Sequence, residues 1–159
     1  VSDQPYGCAI TAHLLACDPA GRWLLLRTAS DHGRWQLPGG RAHTGEGPRA
    51  AAEREAREET GLDLPADDLL IAAWVPGSIG RHDRLALLFA TRTLVADDLD
   101  AITLQASEVD AWSMMKPSDA CGMVHPLLAE RLSVVAGGPV RYLEQARAGM
   151  SGFPDIGSR

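Results

Sequence analysis

Asparagine is absent from this 159-residue chain, lysine occurs once, at Lys116, and cysteine three times, at Cys8, Cys17 and Cys121. Arginine therefore supplies nearly all the basic charge, a bias that points to a GC-rich coding sequence and says nothing about function. The cysteines form no CxxC and cannot all pair, which favours free thiols in a reducing compartment. Long apolar runs are missing too. The longest, "LLIAAWVP", falls well short of the roughly 18 residues of a membrane span, so no membrane partner is expected. The N-terminal "VSDQPYG" lacks a basic-then-apolar signal, and a cytoplasmic location is the expectation. A net charge of −6 argues against broad binding to phosphate backbones, and no stable nucleic-acid partner is expected. What remains is an ordinary soluble composition, 45% hydrophobic and 23% charged. The length suits one domain with a real core, read as residues 1–150, followed by a loose tail, "SGFPDIGSR", at 151–159.

Strands and helices alternate along the chain. "GCAITAHLLAC" has the alternation of a strand, "DPAGR" is a turn, and "WLLLR" reads as the returning strand of a hairpin. "WQLPGG" is a short strand broken by Pro-Gly-Gly. Pro48 to Thr60 reads as a helix, with Pro48 in its first turn and Gly61 at its C-cap. "LLIAAWVP" and "RLALLFATRTL" are strand candidates joined by "GSIGRHD", and Val109 to Met115 is another. "HPLLAERLSVVA" spaces Leu127, Leu128, Leu132 and Val135 like a helix face. "PVRYLE" reads either as a short edge strand or as a partner contact.

The stretch "GRAHTGEGPRAAAEREAREETGL", Gly40 to Leu62, holds five of the eight glutamates. Glu55, Glu58 and Glu59 stand at i, i+3 and i+4, so they project from one side of the helix. Like charges at that spacing cost an isolated helix a few tenths of a kcal/mol per pair, roughly. Arg54 and Arg57 are expected to lie largely off the carboxylate face, with Ala51 and Ala52 one turn earlier leaving vacant space beside the anions. A hard divalent cation such as magnesium, which takes oxygen ligands and keeps substrate phosphates among them, suits such a cluster. A merely acidic, water-facing helix has the same spacing.

The setting separates the two. Gly40, five residues, Glu46, seven residues, Arg54-Glu55-Ala56-Arg57-Glu58-Glu59, then Thr60-Gly61-Leu62 resembles the Nudix box G-x5-E-x7-R-E-U-x-E-E-x-G-U, with Ala56 a small occupant of the first apolar position. Seven fixed identities at fixed spacing would arise by accident on the order of once in a million such chains. The resemblance is specific from Trp35 to Leu62 and loose from Gly7 to Trp112. It implies an α/β fold, the Nudix-type α/β/α sandwich: a mixed curved sheet with the box helix on one side and the late helix from His125 on the other. It implies a metal-dependent pyrophosphohydrolase using magnesium (Mg2+) or manganese, held by the carbonyl of Gly40 and by Glu55, Glu58 and Glu59. Glu55 either binds metal or takes the proton of the attacking water. Glu46 and Arg54 are implied to pair and aim the other carboxylates, either for function or as a plain salt bridge. Glu53, on a variable position, reads as solvent charge. Such enzymes often place a further catalytic glutamate after the box; Glu108, four residues before Trp112, is the candidate, with Asp110 the alternative. Asp97, Asp98 and Asp100 read as turn and helix-cap residues.

Substrates in the family are small molecules, a nucleoside diphosphate linked to another moiety. Pro76, 15 residues beyond Gly61, lies near where ADP-ribose-cleaving members carry a proline, and it tilts the reading toward ADP-ribose or nucleotide-sugar cleavage. An ordinary turn explains that proline equally well. Arg81, His82 and Arg84 are candidates to approach phosphate or ribose, and Trp74 and Trp112 to stack on a base. Trp35 reads as a packing residue and His43 as solvated. A nucleoside triphosphate, including an oxidised one, is the alternative substrate. A ligand-binding sensor that has lost catalysis is the alternative class, although the box carboxylates are all present here. An isomerase of isoprenoid diphosphates would need a catalytic cysteine, and Cys121 falls too late. RNA decapping is disfavoured by the acidic charge. Homodimerisation is common in the family and stays open.

Overall fold

The computed structural model describes residues 7–30, 33–77, 82–135 and 140–145. The proposed tail at 151–159 lies outside them. Among the described residues, eight strands and four helices follow one another as β1 (Cys8–Leu15), β2 (Trp23–Thr28), β3 (Trp35–Gln36), β4 (Gly39–Arg41), α1 (Pro48–Thr60), β5 (Leu69–Val75), β6 (Asp83–Ala90), α2 (Ala96–Ala101), β7 (Val109–Met115), α3 (Pro117–Met123), α4 (Pro126–Ser133) and β8 (Arg141–Glu144). A five-stranded mixed sheet runs β4-β1-β6-β5-β8, and a smaller one runs β3-β2-β7. Pairing of β1 with β6 and of β5 with β8 is parallel; β1 with β4 and β5 with β6 are antiparallel.

Alternation along the strands sorts the core into two layers. Ala12, Leu14, Leu87 and Phe89 face α1, whose Ala51, Ala52 and Ala56 pack with them. Leu15, Ile71, Ala73, Ala86 and Leu88 face the other way, against Ala120 of α3 and Leu128 and Leu132 of α4. Helices thus cover both faces of the mixed sheet, as the sandwich requires. Among the described residues no helix is long and apolar enough to cross a membrane.

One expectation changes and one open alternative is resolved. The hairpin between β1 and β2 begins as read: Asp18 accepts the N–H groups of Ala20 and Arg22 at 3.0 and 2.9 Å, and Cys17 bridges Trp23. The strands then separate into different sheets, because both edges of β1 are taken by β4 and β6, and both edges of β2 by β3 and β7. "PVRYLE" resolves into β8, an edge strand paired in parallel with β5. Asp98 does cap a helix, accepting the N–H of Val95 at 2.8 Å, while pairing with Arg92 at 2.6 Å. The helix it caps, α2, was not anticipated.

Candidate functional site

The acidic helix has the expected ends. Pro48 opens α1, and Gly61 closes it at φ 75°, donating its N–H to the Arg57 carbonyl at 2.8 Å. Its inner stripe differs from expectation: Ala51 and Ala52 are fully buried, so no vacant surface lies beside the carboxylates. Spacing told which residues share a side, not what covers it. The small side chains let α1 lie close to β1 and β4, which brings Glu55 and Glu59 against Gly39 and Gly40. A Cβ on Gly40 would lie 2.5 Å from the Glu55 carboxyl carbon. A Cβ on Gly39, at φ 134°, would lie 2.4 Å from the Ala12 carbonyl oxygen. Both glycines are required by close approach.

Arg54 also departs from its expected place off the carboxylate face. Its Nε and one terminal nitrogen donate to the two oxygens of Glu46 at 2.8 and 2.9 Å, and the other terminal nitrogen reaches Glu55 at 3.0 Å and Glu58 at 3.2 Å. A long, forked side chain bends to the charge its Cβ direction points past. The Arg54 bonds, helped by the His43 N–H at 2.9 Å, hold the Glu46 carboxyl down at about 2. Glu46 and Arg54 therefore form the anticipated pair, and that pair orients Glu55 and Glu58. His43 is solvated as expected, its side chain 71% exposed. Glu53, expected to be solvent charge, instead accepts the Ala66 N–H at 2.8 Å and ties down the segment after the helix.

Glu59 is only 3% exposed. Its oxygens accept the Gly39 N–H at 2.9 Å and the Gln36 side-chain amide at 3.1 Å. Burial pushes this carboxyl up to about 8; the Gly39 bond opposes the rise, and the charges of Glu55 and Glu108 add to it. Glu108 is thus within electrostatic reach of the box. Glu108 also accepts the Gln105 amide at 3.4 Å, while the Gln105 N–H donates to the Glu59 carbonyl at 3.3 Å. Asp110, the alternative, is engaged by Arg27 at 2.7 Å. Gln36 and Gln105 were not singled out from sequence. A signal existed for Gln36: it ends a short strand immediately before buried Leu37, and extended backbone turns neighbouring side chains to opposite sides.

Of the substrate candidates, Arg84 and Trp74 lie on opposite faces of the sheet, since Arg84 pairs with Val75 and Trp74 with Leu85. Arg81 lies outside the described residues. Trp112 is 36% exposed, on β7. Pro76 follows the end of β5. Among the described residues, no three His, Cys, Asp or Glu side chains stand together as a ready-made metal cage; one Arg54 nitrogen bridges Glu55 and Glu58, and Glu59 is engaged separately by the Gly39 N–H.

The NUDIX domain model matches residues 9–136. An octanoyltransferase of Myxococcus xanthus is 48% identical over 52 residues, 32% of this chain and 15% of that protein. A MutT-like protein of Streptomyces ambofaciens is 45% identical over 49 residues, 31% of each chain. The matched stretch is thus less than a third of the length of either relative. Among solved structures, the MutT protein of Methanosarcina mazei Go1 superposes with a TM-score of 0.70 at 23% identity, over 85% of this chain and 96% of that one. An ADP-ribose pyrophosphatase of Streptococcus suis 89-1591 superposes with a TM-score of 0.61 at 18% identity, over 87% of this chain and all of that one, 100%. At these identities the likeness is one of fold.

Proposed function

Because this chain belongs to the Nudix family, we propose that it hydrolyses the pyrophosphate bond of a nucleoside diphosphate linked to another moiety, using a divalent cation, magnesium or manganese. The observation that carries the reading is the cradle at Gly40, where a bare backbone lies against the Glu55 carboxylate with no room for a side chain.

The donor set fits such a cation. Gly40 offers a carbonyl, Glu55, Glu58 and Glu59 offer carboxylates, and all are hard oxygens. The charge balance fits as well: burial and two neighbouring anions raise Glu59, a penalty that a cation would reverse. Glu58, with its side chain 46% exposed and a single contact to Arg54 at 3.2 Å, is free to turn. The chemistry supplied by the cation is neutralisation of the phosphate oxygens and a lowered pKa for water.

The chain's own residues would do the rest. Arg54, fastened to Glu46, holds Glu55 and Glu58 in place, and Gln36 with the Gly39 N–H holds Glu59. Glu55 or Glu108 accepts a proton from the water as its oxygen attacks phosphorus in line, and the bridging P–O bond breaks. A phosphate or nucleoside monophosphate departs. Positioning and charge neutralisation supply most of the rate, because that leaving group is already good.

The test is phosphate release, coupled to a secondary phosphatase, from ADP-ribose, nucleotide sugars, dinucleoside polyphosphates, nucleoside triphosphates and 8-oxo-dGTP, each with magnesium and with chelator. Magnesium-dependent turnover of a member is expected. Silence across the panel, from folded protein that binds the metal, overturns the hydrolase reading in favour of a nucleotide sensor.

A further inference from the structure

Carboxylates at the site are held in two ways. Arg54 grips Glu46, Glu55 and Glu58 with a charged fork. The groups that bond Glu59 and Glu108 are uncharged. The Gln36 side-chain amide donates to one Glu59 oxygen at 3.1 Å, and the Gly39 N–H donates to the other at 2.9 Å. The Gln105 side-chain amide donates to Glu108 at 3.4 Å.

Both glutamines have fixed backbones. Gln36 stands opposite Leu26 where β3 pairs with β2. Gln105 donates its N–H to the Glu59 carbonyl at 3.3 Å, and its own carbonyl accepts the N–H groups of Glu108 and Val109 at 2.9 and 3.0 Å. The Glu108 carbonyl accepts the Ala29 N–H at 2.8 Å, and Thr103 donates to the Thr60 carbonyl at 2.9 Å. The stretch carrying Gln105 and Glu108 is therefore tied to the last turn of α1, which carries the box carboxylates.

The Gln105 side chain is not there for the core. Its Oε1 is buried and has no hydrogen-bond partner among the described residues. A buried acceptor left unsatisfied is unfavourable, and methionine would fill similar space without it. Turning the amide over would set that oxygen against the Glu108 carboxylate, acceptor against acceptor. The orientation that leaves Oε1 unpartnered is the one that aims the amide N–H at Glu108.

A guanidinium or an ammonium would orient these two carboxylates equally well. Its charge, however, would oppose an arriving metal cation and would disfavour proton uptake by Glu108. An amide directs the same oxygens and leaves their negative charge in place. Resting on the hydrolase reading above, we propose that Gln36 and Gln105 are positioning residues: neutral amides that fix Glu59 and Glu108 while leaving their charge to a divalent cation and to the proton of the attacking water.

Electron paramagnetic resonance of Mn2+ titrated with the full chain, without substrate, tests Gln36. Gln36→Met should bind Mn2+ about tenfold more weakly than wild type, as when a group orienting a ligand is lost. Gln36→Lys should bind more weakly still, because an ammonium competes with the cation. Gln36→Asn, whose amide is too short to reach, repeats the measurement if Gln36→Met fails to fold. Equal Mn2+ binding in wild type and these variants overturns the role of Gln36; Gln36→Lys binding as tightly as wild type overturns the need for a neutral group. For Gln105, the side-chain amide resonances, assigned by their loss in Gln105→Met, should move in Glu108→Gln. Unmoved resonances overturn the contact. Gln105→Met should keep KM, lower kcat severalfold, at most by the roughly tenfold of Glu108→Gln, and add nothing in the Glu108→Gln background. Its Tm should equal or exceed that of wild type, because the unpartnered acceptor is gone. A lower Tm with additive kcat losses makes Gln105 a structural residue and overturns its positioning role. The expected Mn2+ and resonance changes in a chain inactive on every substrate uphold the contacts and overturn the hydrolase.

Discussion

On the α1 side of the five-stranded sheet one guanidinium, Arg54, serves three carboxylates; on the α4 side Arg131 donates to the Leu127 carbonyl at 3.0 Å and lies between the charges of Arg84 and Glu130. The difference is one of purpose. Paired charges at Arg54 fix geometry, since each oxygen of Glu46 has its donor and the same fork steadies Glu55 and Glu58. Glu59, buried among the charges of Glu55 and Glu108, is a place where the protein's own groups do not complete the electrostatics.

The strongest way to break the comparison is to remove charge on the anionic side. Glu58→Gln and Glu59→Gln should each lower kcat by on the order of 10²-fold or more, the scale of losing one preorganised charge-stabilising group. Folding should be kept, as checked by circular dichroism. Glu59→Gln in particular can still accept the Gly39 N–H. Retained turnover in both variants would remove α1 from the chemistry.

Next come the glycines, which separate cradle from scaffold. Gly40→Ala drives a methyl into the end of a movable side chain, so Glu55 swings away; kcat should fall about 10–100-fold, as when a group orienting a ligand is lost, with little change in Tm. Gly39→Ala meets backbone at positive φ and should lose about 2 kcal/mol or more of stability. Denaturant titration of both variants, with activity measured alongside, distinguishes the two. Equal loss of stability would mean that Gly40, too, is only a packing residue.

A pH series sharpens the electrostatic half. Glu59 holds its proton up to about 8 in the folded chain against an ordinary value of 4.5, so folding binds protons between those values and stability falls as pH rises from 4.5 to 8. His13 has the opposite sense, its value lowered from 6.5 to about 4, so its contribution rises with pH and is complete above 6.5. Between pH 6.5 and 8, in chelator, the Tm of wild type should therefore fall relative to that of Glu59→Gln. Parallel curves would show that the Glu59 carboxylate is better solvated than its burial implies.

Much of this was legible in sequence where the governing physics is local. The limits of α1 follow from Pro48 and Gly61, whose backbone preferences need no tertiary partner, and β7 was bounded correctly by apolar content between turn residues. What was misread depends on what lies opposite. Ala51 and Ala52 look like empty space until β1 is placed against them. The β1–β2 hairpin looks simple until other strands claim both pairs of edges. Short α2 and α3 have too few turns to show a period. The site was legible as a motif but not as a network: Gln36 and Gln105 carry no charge to draw the eye, and they matter through bonds across 23 and 3 residues of sequence.

The smallest predicted effect concerns the choice between two acids two residues apart. Asp110 pairs with Arg27 across strands, both side chains more than two-fifths exposed. Such a pair contributes roughly 0.2–1 kcal/mol. Asp110→Asn should accordingly lower stability by no more than about that amount and leave turnover unchanged. Glu108 stands on the other branch. Its charge reaches Glu59, and Gln105 links it to the end of α1. Glu108→Gln should lower kcat by about tenfold or more and leave Tm within about 0.5 kcal/mol equivalent of wild type, as surface changes do. Measured together under saturating magnesium, the two variants locate the boundary of the anionic cluster. If Asp110→Asn is the slower enzyme, the Arg27 pair positions the β7 loop for catalysis, and Glu108 is a surface acid at a strand start. If Glu108→Gln is slower, the cluster extends from the box across to the start of β7.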